Sequence, residues 1–353
     1  MTESSNPPLF VEDLAPWNDN PHSIWLASTL QLYRNVDKFH FPAKLSPDKR
    51  KQLVSFLGKE AGKLKEFKQP TLIKSEESSP VDKEFLVEHC MTNEGFTQAA
   101  QGEAFFFDKS GECLLSFNVE DHIHFHYMDT KGELERSFSK LANMEAELGK
   151  TVVYAYSTKF GFLTSNPAVC GTGLVATLFL QLSGLIHSGK LNETLENLKD
   201  EAVEVQGLLG GGKDWVGDIA QVSNQYSLGV NEESILSSLR NFSTRLIAEE
   251  TAERERLKVS SEMKDKVARA FGLLIHSYQI ETVEALNEIA LLKFGLEMGW
   301  IQGTDMNTLN RLFFTCRRGH LLRYLGGKTS MEEVPHKRAE FIHTALKNVT
   351  IAI

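Results

Sequence analysis

Residues 113–127 alternate between apolar and polar side chains over most of their length. A repeat of two is the side-chain period of a β-strand, whose successive residues point to opposite faces. The pattern therefore predicts a strand with one face packed on a core and the other face turned elsewhere. The apolar set is Cys113, Leu115, Phe117, Val119, Ile123, Phe125 and Tyr127, and the polar set is Ser116, Asn118, Glu120, His122, His124 and His126.

Helical patterns flank this strand and dominate the last third of the chain. From Glu232 they continue to about residue 346. We therefore expect an α/β part that ends near residue 255, a helical part after it, and a flexible arm over residues 1–22, which are rich in Pro, Asn and Ser. The helical segments before residue 231 are 46–65, 134–148 and 192–199, and residues 202–205 are a further strand candidate.

Charge and cysteine usage exclude several classes of protein. The net charge of −9 argues against nucleic acid and against anionic membranes as partners. We expect no signal peptide and no membrane insertion, because the first residues lack a basic region and the most apolar run, 174–186, is too short to span a bilayer. The four cysteines (Cys90, Cys113, Cys170 and Cys316) form no Cys-x-x-Cys pair, which is typical of reduced thiols in a cytoplasmic protein.

Segment 161–177 reads Gly-Phe-Leu-Thr-Ser-Asn-Pro-Ala-Val-Cys-Gly-Thr-Gly-Leu-Val-Ala-Thr. It resembles the signature segment of the ATP:guanidino phosphotransferases, and most closely that of the bacterial protein-arginine kinases (the McsB family). Blocks at 223–250 and 271–301 are similar to the same family, so the resemblance covers nearly the whole chain. The signature positions retained here are Gly161, Leu163, Thr164, Ser165, Pro167, Gly171, Thr172, Gly173, Leu174 and Ala176.

The resemblance implies an α+β fold, with an antiparallel sheet flanked by helices and followed by an all-helical C-terminal domain. In this family the sheet holds ATP and a guanidino substrate, and the C-terminal module supports dimerisation and binds phosphoarginine. We therefore assign residues 23–254 to a catalytic domain of the guanidino phosphotransferase type. Residues 255–353 become a helical domain of the dimerisation and phosphoarginine-receptor type.

The family's catalytic positions hold other residues in this chain. Arginines and Mg²⁺ neutralise the triphosphate in the family, and two carboxylates orient the guanidinium. Glu120 retains one carboxylate, and Gly211 stands in place of the other. The five positions that the resemblance assigns to phosphate-binding arginines hold Thr29, Gln31, His124, Val175 and Gln206. The further pocket positions are Asn118, His122, Asn166 (a reactive Cys in the family), Gly171, Thr172, Gly173 and Lys213.

These substitutions predict weak chemistry at most. Each charge-assisted hydrogen bond contributes about 1.5–3 kcal/mol, and about 1.4 kcal/mol is a factor of ten in rate. The loss of several such bonds therefore predicts a loss of many orders of magnitude in phosphoryl transfer. Lys213 adds one positive charge to the loop 207–214, whose sequence is close to that of a phosphate-binding P-loop. Asp214, however, stands where that motif needs Ser or Thr to bind Mg²⁺. We expect this loop to be flexible over the cleft.

Two further sites are open to hypothesis. His122, His124 and His126 share one parity of the predicted strand, and such imidazoles can bind zinc together with Glu120. The alternative is that they line a polar cleft without metal. In the C-terminal part, the resemblance aligns residues 334–339 with the family's phosphoarginine receptor, of which Arg338 remains.

Three functions are consistent with the sequence. The first is a degenerate kinase that acts as a regulatory or scaffold protein, as a homodimer, with a partner of the family's zinc-binding (McsA-like) activator type in a Clp protease system. The second is an active protein-arginine or guanidino kinase that uses Mg-ATP. The third is a cleft repurposed for a metal or another ligand.

Overall fold

The structure, a computed structural model, describes residues 15–89, 101–210, 214–326 and 329–353. Its centre is an eight-stranded sheet in the order β2-β3-β4-β5-β1-β8-β10-β9, in which all neighbouring strands run antiparallel. This confirms the predicted α+β class. The strands are β1 (Trp25–Arg34), β2 (Thr71–Lys74), β3 (Ala104–Phe107), β4 (Cys113–Phe117), β5 (Ile123–Asp129), β8 (Leu174–Gln181), β9 (Val203–Gly207) and β10 (Ile219–Asn224). Between β5 and β8, β6 (Tyr156–Ser157) and β7 (Gly161–Phe162) form a short hairpin.

The alternating segment 113–127 is a hairpin rather than one strand. β4 and β5 meet at residues 118–122, and the register pairs Cys113 with Tyr127 and Phe117 with Ile123. Because paired residues share sequence parity, the alternation continues unchanged through the turn. The turn itself is marked by Asn118, which has a positive φ of 61°.

One side of the sheet packs on the larger hydrophobic core. This side carries residues such as Leu30, Phe125 and Leu178, which pack with helical residues such as Leu53 and Leu239. Apolar residues on one strand parity and on one helix stripe produce this layered arrangement. The helices of this part are α1 (Pro47–Ala61), α2 (Pro80–His89), α3 (Leu134–Gly149), α4 (Ser183–His187), α5 (Leu191–Leu198) and α6 (Glu232–Leu257).

The C-terminal part is helical except for one two-stranded ladder, β11 (Ile301–Gln302) with β12 (Thr350–Ile351). It builds a second core that also takes in Met128, Phe179 and Ile219 from the sheet. The expected boundary near residue 255 falls inside α6, which runs unbroken to Leu257. The helices that follow are α7 (Ser261–His276), α8 (Thr282–Glu297), α9 (Met306–Thr315), α10 (Arg318–Tyr324) and α11 (Val334–Leu346).

The expected loose arm over residues 1–22 is wrong for its described part. Trp17 is buried, and its ring stacks on Phe314 with 4.5 Å between centroids. The amide of Asn310 donates to the carbonyls of Asn20 (2.7 Å) and His22 (3.1 Å). One large aromatic residue thus anchors a segment whose polar composition suggested disorder, whereas residues 1–14 lie outside the described part.

Among the described residues, no helix is both long enough and apolar enough to cross a membrane.

Candidate functional site

One face of the sheet carries all five positions that the resemblance assigns to phosphate binding. Residues paired directly across antiparallel strands point to the same face. Gln31 on β1 pairs with His126 on β5 and with Val175 on β8. We call this side the polar face, and its five assigned positions are Thr29, Gln31, His124, Val175 and Gln206.

The same pairing extends the polar face to the sheet edge. Thr177 on β8 pairs with Ser223 on β10, and Ser223 pairs with Glu204 on β9. Gln206 lies two residues beyond Glu204 and therefore points to the same side. Five positions scattered over the sequence are thus brought together by the register of five strands, β5, β1, β8, β10 and β9.

The centre of the polar face carries no Arg, Lys, Asp or Glu on its described strands. Its described strand residues from β4 to β9 include no Arg or Lys, and Glu204 at the edge is their one carboxylate. Thr29, Gln31 and His124 are buried, and Val175 and Gln206 are half-buried. A triphosphate needs several cations in fixed positions, and these strand side chains supply none.

Neighbouring side chains on the polar face bind one another. The Tyr33 hydroxyl donates to Gln31 Oε1 at 3.0 Å, and the Tyr33 ring stacks on His124 at 4.4 Å between centroids. The Ser116 hydroxyl lies 3.4 Å from Nδ1 of His124. Further along the face, the hydroxyls of Thr177 and Ser223 are 2.8 Å apart. The side chains at the centre of this face thus form a layer that is held together by hydrogen bonds and ring stacking.

His122 is fixed within the fold rather than presented to a ligand. The backbone N–H of Val36 donates to Nδ1 at 3.0 Å, and Nε2 lies 3.0 Å from the carbonyl of His40, an arrangement that assigns the proton to Nε2. Burial lowers the pKa of His122 to about 4, so the ring is neutral at physiological pH. Both ring nitrogens are therefore engaged.

The three-histidine metal hypothesis receives no support. The rings of His124 and His126 lie 6.0 Å apart, edge to face, and His122 is held at the β4–β5 turn. Across the described parts of the chain, no group of three or more His, Cys, Asp or Glu side chains is placed to hold a metal ion.

The retained carboxylate of Glu120 lies at the surface, on the β4–β5 turn. Its backbone carbonyl accepts a hydrogen bond from the Ser165 hydroxyl at 2.8 Å, which joins the turn to the signature segment. The neighbouring Asp121 is buried and accepts from the Ser165 N–H at 2.7 Å. Asn118, predicted as a pocket residue, instead donates to the carbonyls of Arg50 (3.1 Å) and Gly102 (3.0 Å).

The signature glycines are required by packing. Gly171 has a φ of 108°, and a Cβ there would lie 2.2 Å from the carbonyl oxygen of Ser227. Gly173 has a φ of 66°, and its Cβ would lie 2.5 Å from Nη1 of Arg34. Both positions therefore exclude side chains on steric and conformational grounds, so their retention follows from the fold without any phosphate.

The other pocket positions of this segment also have structural partners. Thr172 is buried; its N–H donates to the carbonyl of Ser227 at 3.0 Å. Asn166 is exposed, and its Oδ1 accepts from the Ala168 N–H at 3.1 Å, which caps the short 3₁₀ turn Pro167–Val169. Gly211 and Lys213 lie outside the described residues.

Arg34, at the end of β1, stabilises the fold through contacts with several segments. It is buried, and its Nε donates to Glu145 at 2.8 Å. Nη1 donates to the carbonyls of Tyr33 and Thr172, each at 2.9 Å, and the guanidinium lies 3.5 Å from the ring centre of Phe162. Its donors are thus directed at the protein.

Arg338 is equally unavailable to a ligand. It is 1% exposed; its Nε donates to the carbonyl of Cys316 at 2.9 Å and its Nη1 to that of Ile280 at 2.8 Å. The remnant of the predicted phosphoarginine receptor therefore joins α11 to two preceding segments of the C-terminal core.

Sequence reasoning missed Tyr33, Ser116, Thr177 and Ser223, which complete the layer on the polar face. These residues could not be found from the motifs, because a motif identifies single positions and does not show which residues lie beside them on the neighbouring strands. Strand parity on β1 and β8 was the signal available in the sequence.

Two family models match the chain in succession. Residues 51–253 match the ATP:guanido phosphotransferase C-terminal catalytic domain. Residues 260–352 match the protein-arginine kinase McsB C-terminal domain.

The chain is also similar in sequence and in structure to individual known proteins. The chain is 31% identical over 351 residues to a protein-arginine kinase of Chlamydia pneumoniae, covering 96% of this chain and 97% of that protein. It is 31% identical over 346 residues to one from Bacillus cereus (strain AH820), covering 96% and 98%. Among solved structures, lombricine kinase aligns with a TM-score of 0.57 at 18% identity over 71% of this chain and 73% of that one. The duplicated taurocyamine kinase of Schistosoma mansoni gives 0.58 at 21% identity, over 71% of this chain and 37% of that one.

Proposed function

Because this chain belongs to the protein-arginine kinase family of ATP:guanido phosphotransferases, we propose that it is a degenerate member which acts by binding rather than by phosphoryl transfer. The scaffold of the family is kept, whereas the positions that would hold the triphosphate are occupied by residues other than arginine. Such a protein regulates or holds a partner through its shape and surface.

The observation that carries this proposal is the polar face, whose centre carries no Arg or Lys on its described strands. Gln31 is bonded to Tyr33, and His124 is stacked on it, so neither position is free to receive phosphate oxygens. Val175 offers no hydrogen-bond donor at all. An imidazole at position 124 cannot replace a guanidinium fork, because it presents no pair of parallel donors.

The first test is nucleotide binding measured by thermal unfolding. A ligand that binds only the folded state raises the melting temperature. We therefore expect millimolar Mg-ATP to leave the melting temperature of this chain unchanged and to raise that of an active relative, which is the control. The second test is incubation with Mg-ATP and an arginine-rich protein, followed by detection of acid-labile phosphoarginine. Robust phosphoarginine formation that is lost in Glu120→Gln would overturn the proposal.

An active kinase is the second candidate. Its support is the family itself, together with the retained Glu120, which is exposed and joined through its backbone to the signature segment. In that case Mg-ATP is the cofactor and protein arginine or a small guanidino compound is the substrate. The phosphoarginine assay separates the two candidates directly.

We also propose the partner and setting that the family suggests. The partner is a protein of the zinc-binding activator type that serves a Clp protease, and the chain acts as a homodimer in the cytoplasm. The thiols of Cys113, Cys170 and Cys316, which form no disulfide, support a reducing compartment. The net charge of −9 supports a protein rather than a nucleic acid as the partner.

A further inference from the structure

Strand β9 forms one edge of the sheet, and β10 is its ladder partner among the described residues. In an antiparallel ladder, hydrogen-bonded pairs alternate with pairs that are not hydrogen-bonded. The Gln225 N–H donates to the carbonyl of Ala202, so this register bonds Glu204 and Gln206 to β10. Val205 therefore directs its N–H and C=O away from β10, toward the open edge.

The hydrogen bonds between β10 and β8 lead to the same assignment of which β10 residues bond to which neighbouring strand. The Leu182 N–H donates to the carbonyl of Asp218, which makes Ala220 and Val222 the residues that bond to β8. Val222 pairs with Val205, and since its own backbone groups face β8, they are not available to Val205. No described residue hydrogen-bonds to the backbone of Val205, so one donor and one acceptor stay open.

A cleft of about 470 Å³ lies beside this edge, and its lining combines polar residues (Lys199, Asp200, Glu201 and Gln225) with apolar ones. Val203 and Val205 line it from the strand, and Leu195 and Phe242 line it from α5 and α6. Tyr226, which also lines the cleft, is 53% exposed. A strand added to β9 would place alternate side chains over this cleft, because side chains on neighbouring strands point to the same face in register.

The surface around the edge is acidic. Residues 191–210 contain five acidic side chains and one lysine, a net charge of 1 − 5 = −4. They are Glu193, Glu196, Lys199, Asp200, Glu201 and Glu204. Within the described residues, none of them forms an ion pair.

We propose that the β9 edge binds an extended, basic segment of a partner protein as an additional strand. The backbone groups of Val205 supply hydrogen bonds, the apolar residues of the cleft pack against an apolar side chain, and the acidic residues of the cleft and its surroundings select Lys or Arg between apolar residues. A second copy of this chain is a poor occupant, because self-pairing brings two surfaces of charge −4 together. The inference extends the proposed binding function, although the edge is also compatible with a chain that turns over nucleotide.

The probe is a fluorescein-labelled peptide, Lys-Val-Arg-Val-Lys-Val-Arg, titrated into the full chain at 100 mM salt with anisotropy as readout. Val205→Pro removes the outward N–H and leaves the β9–β10 hydrogen bonds in place. Val205→Ala is the matched control, since it shortens the side chain and keeps the N–H. We expect saturable binding that Val205→Pro weakens at least about tenfold and Val205→Ala weakens less than about threefold.

Hydrogen exchange gives a second readout that general charge attraction does not produce. Bound peptide should slow exchange of the Val205 amide and leave the Glu204 and Gln206 amides, already bonded to β10, unchanged. Equal affinity for a fully N-methylated peptide, or for Val205→Pro, would identify non-specific attraction and overturn the proposal.

Sedimentation of the unliganded chain tests the other occupant. A dimer that Val205→Pro converts to monomer would show that a second copy occupies the edge, and would also overturn the proposal. The nucleotide melting test remains independent, because Val205→Pro is expected to leave the response to Mg-ATP unchanged. Failure at the edge is thus distinguishable from failure of the proposed function.

Discussion

Lys293 on α8 shows how strongly a single residue can depend on its surroundings. It is 2% exposed, and its ammonium makes no hydrogen bond to a described residue. Burial, helped by the nearby Arg254, lowers the pKa of Lys293 to about 7, although Glu297 and Asp218 act in the opposite direction. An amine without a partner in a core is costly in its charged form.

This residue predicts a stability that rises with pH. An unfolded lysine keeps its proton up to a pKa of about 10.4, whereas the folded protein releases it above about 7. The unfolded state therefore binds more protons between about pH 7 and 10, and the free energy of unfolding rises there by up to about 1.4 kcal/mol per pH unit. Urea unfolding from pH 6.5 to 9.5 should show this slope in the wild type and not in Lys293→Met.

Lys266→Met, at a half-buried lysine that pairs with Glu262 at 3.0 Å, is the control and should keep the wild-type slope. Equal slopes in the wild type and in Lys293→Met would contradict the assigned titration.

At the scale of the element, the signature segment 161–177 packs closely against the neighbouring strand β1. Gly173 leads into β8 beside β1, where the Tyr33 N–H donates to its carbonyl at 2.9 Å and Arg34 covers its α-carbon. Packing and backbone conformation are thus sufficient to require this glycine, whether or not the chain transfers phosphate.

Gly173→Ala should destabilise the chain by at least about 2 kcal/mol, because it combines a left-handed backbone conformation with overlap against buried atoms. Gly189→Ala is the matched control: its φ is 72°, yet a Cβ there meets nothing within 4 Å. It should lose only about 1 kcal/mol. Equal losses of unfolding free energy in urea for the two variants would show that packing at Gly173 adds nothing.

At the scale of the whole molecule, contacts made by several elements connect the two hydrophobic cores. The segment around Trp17 crosses to α9, and α2 meets α10 through the ion pairs Glu84–Arg318 and Asp82–Arg323. The second core also reaches the sheet through Met128. We therefore expect the two parts to unfold together rather than one after the other.

Trp17→Ala tests this coupling. Removing a buried aromatic side chain typically costs about 3–5 kcal/mol, and here it also loosens the contact with Phe314. Calorimetry should show a lower melting temperature, with the single transition of the wild type broadened or split. Phe39→Ala, at a largely exposed aromatic residue, should change neither. A single, unshifted transition in Trp17→Ala would show that this segment does not hold the parts together.

The sequence by itself determined the fold class, most helices and the family, because helical periodicity, strand alternation and the 161–177 motif are local properties. Helices α1 and α3 lie where the periodicity predicted them. Two predictions from local patterns were wrong. The alternation, which continues unchanged through the β4–β5 turn, predicted one strand where there are two. The polar composition of residues 1–22 predicted a flexible arm where Trp17 is buried.

Only the tertiary structure decided which residues meet. The register of β5, β1, β8, β10 and β9 gathers the five assigned positions on one face, and the side chains of Arg34, His122 and Arg338 donate to backbone carbonyls inside the fold. Strand pairing and burial arise from contacts between residues far apart in the chain, so no local pattern encodes them. In the same long-range pairing β9 has β10 as its one ladder partner among the described residues, whereas the sequence marked β9 only as a short strand.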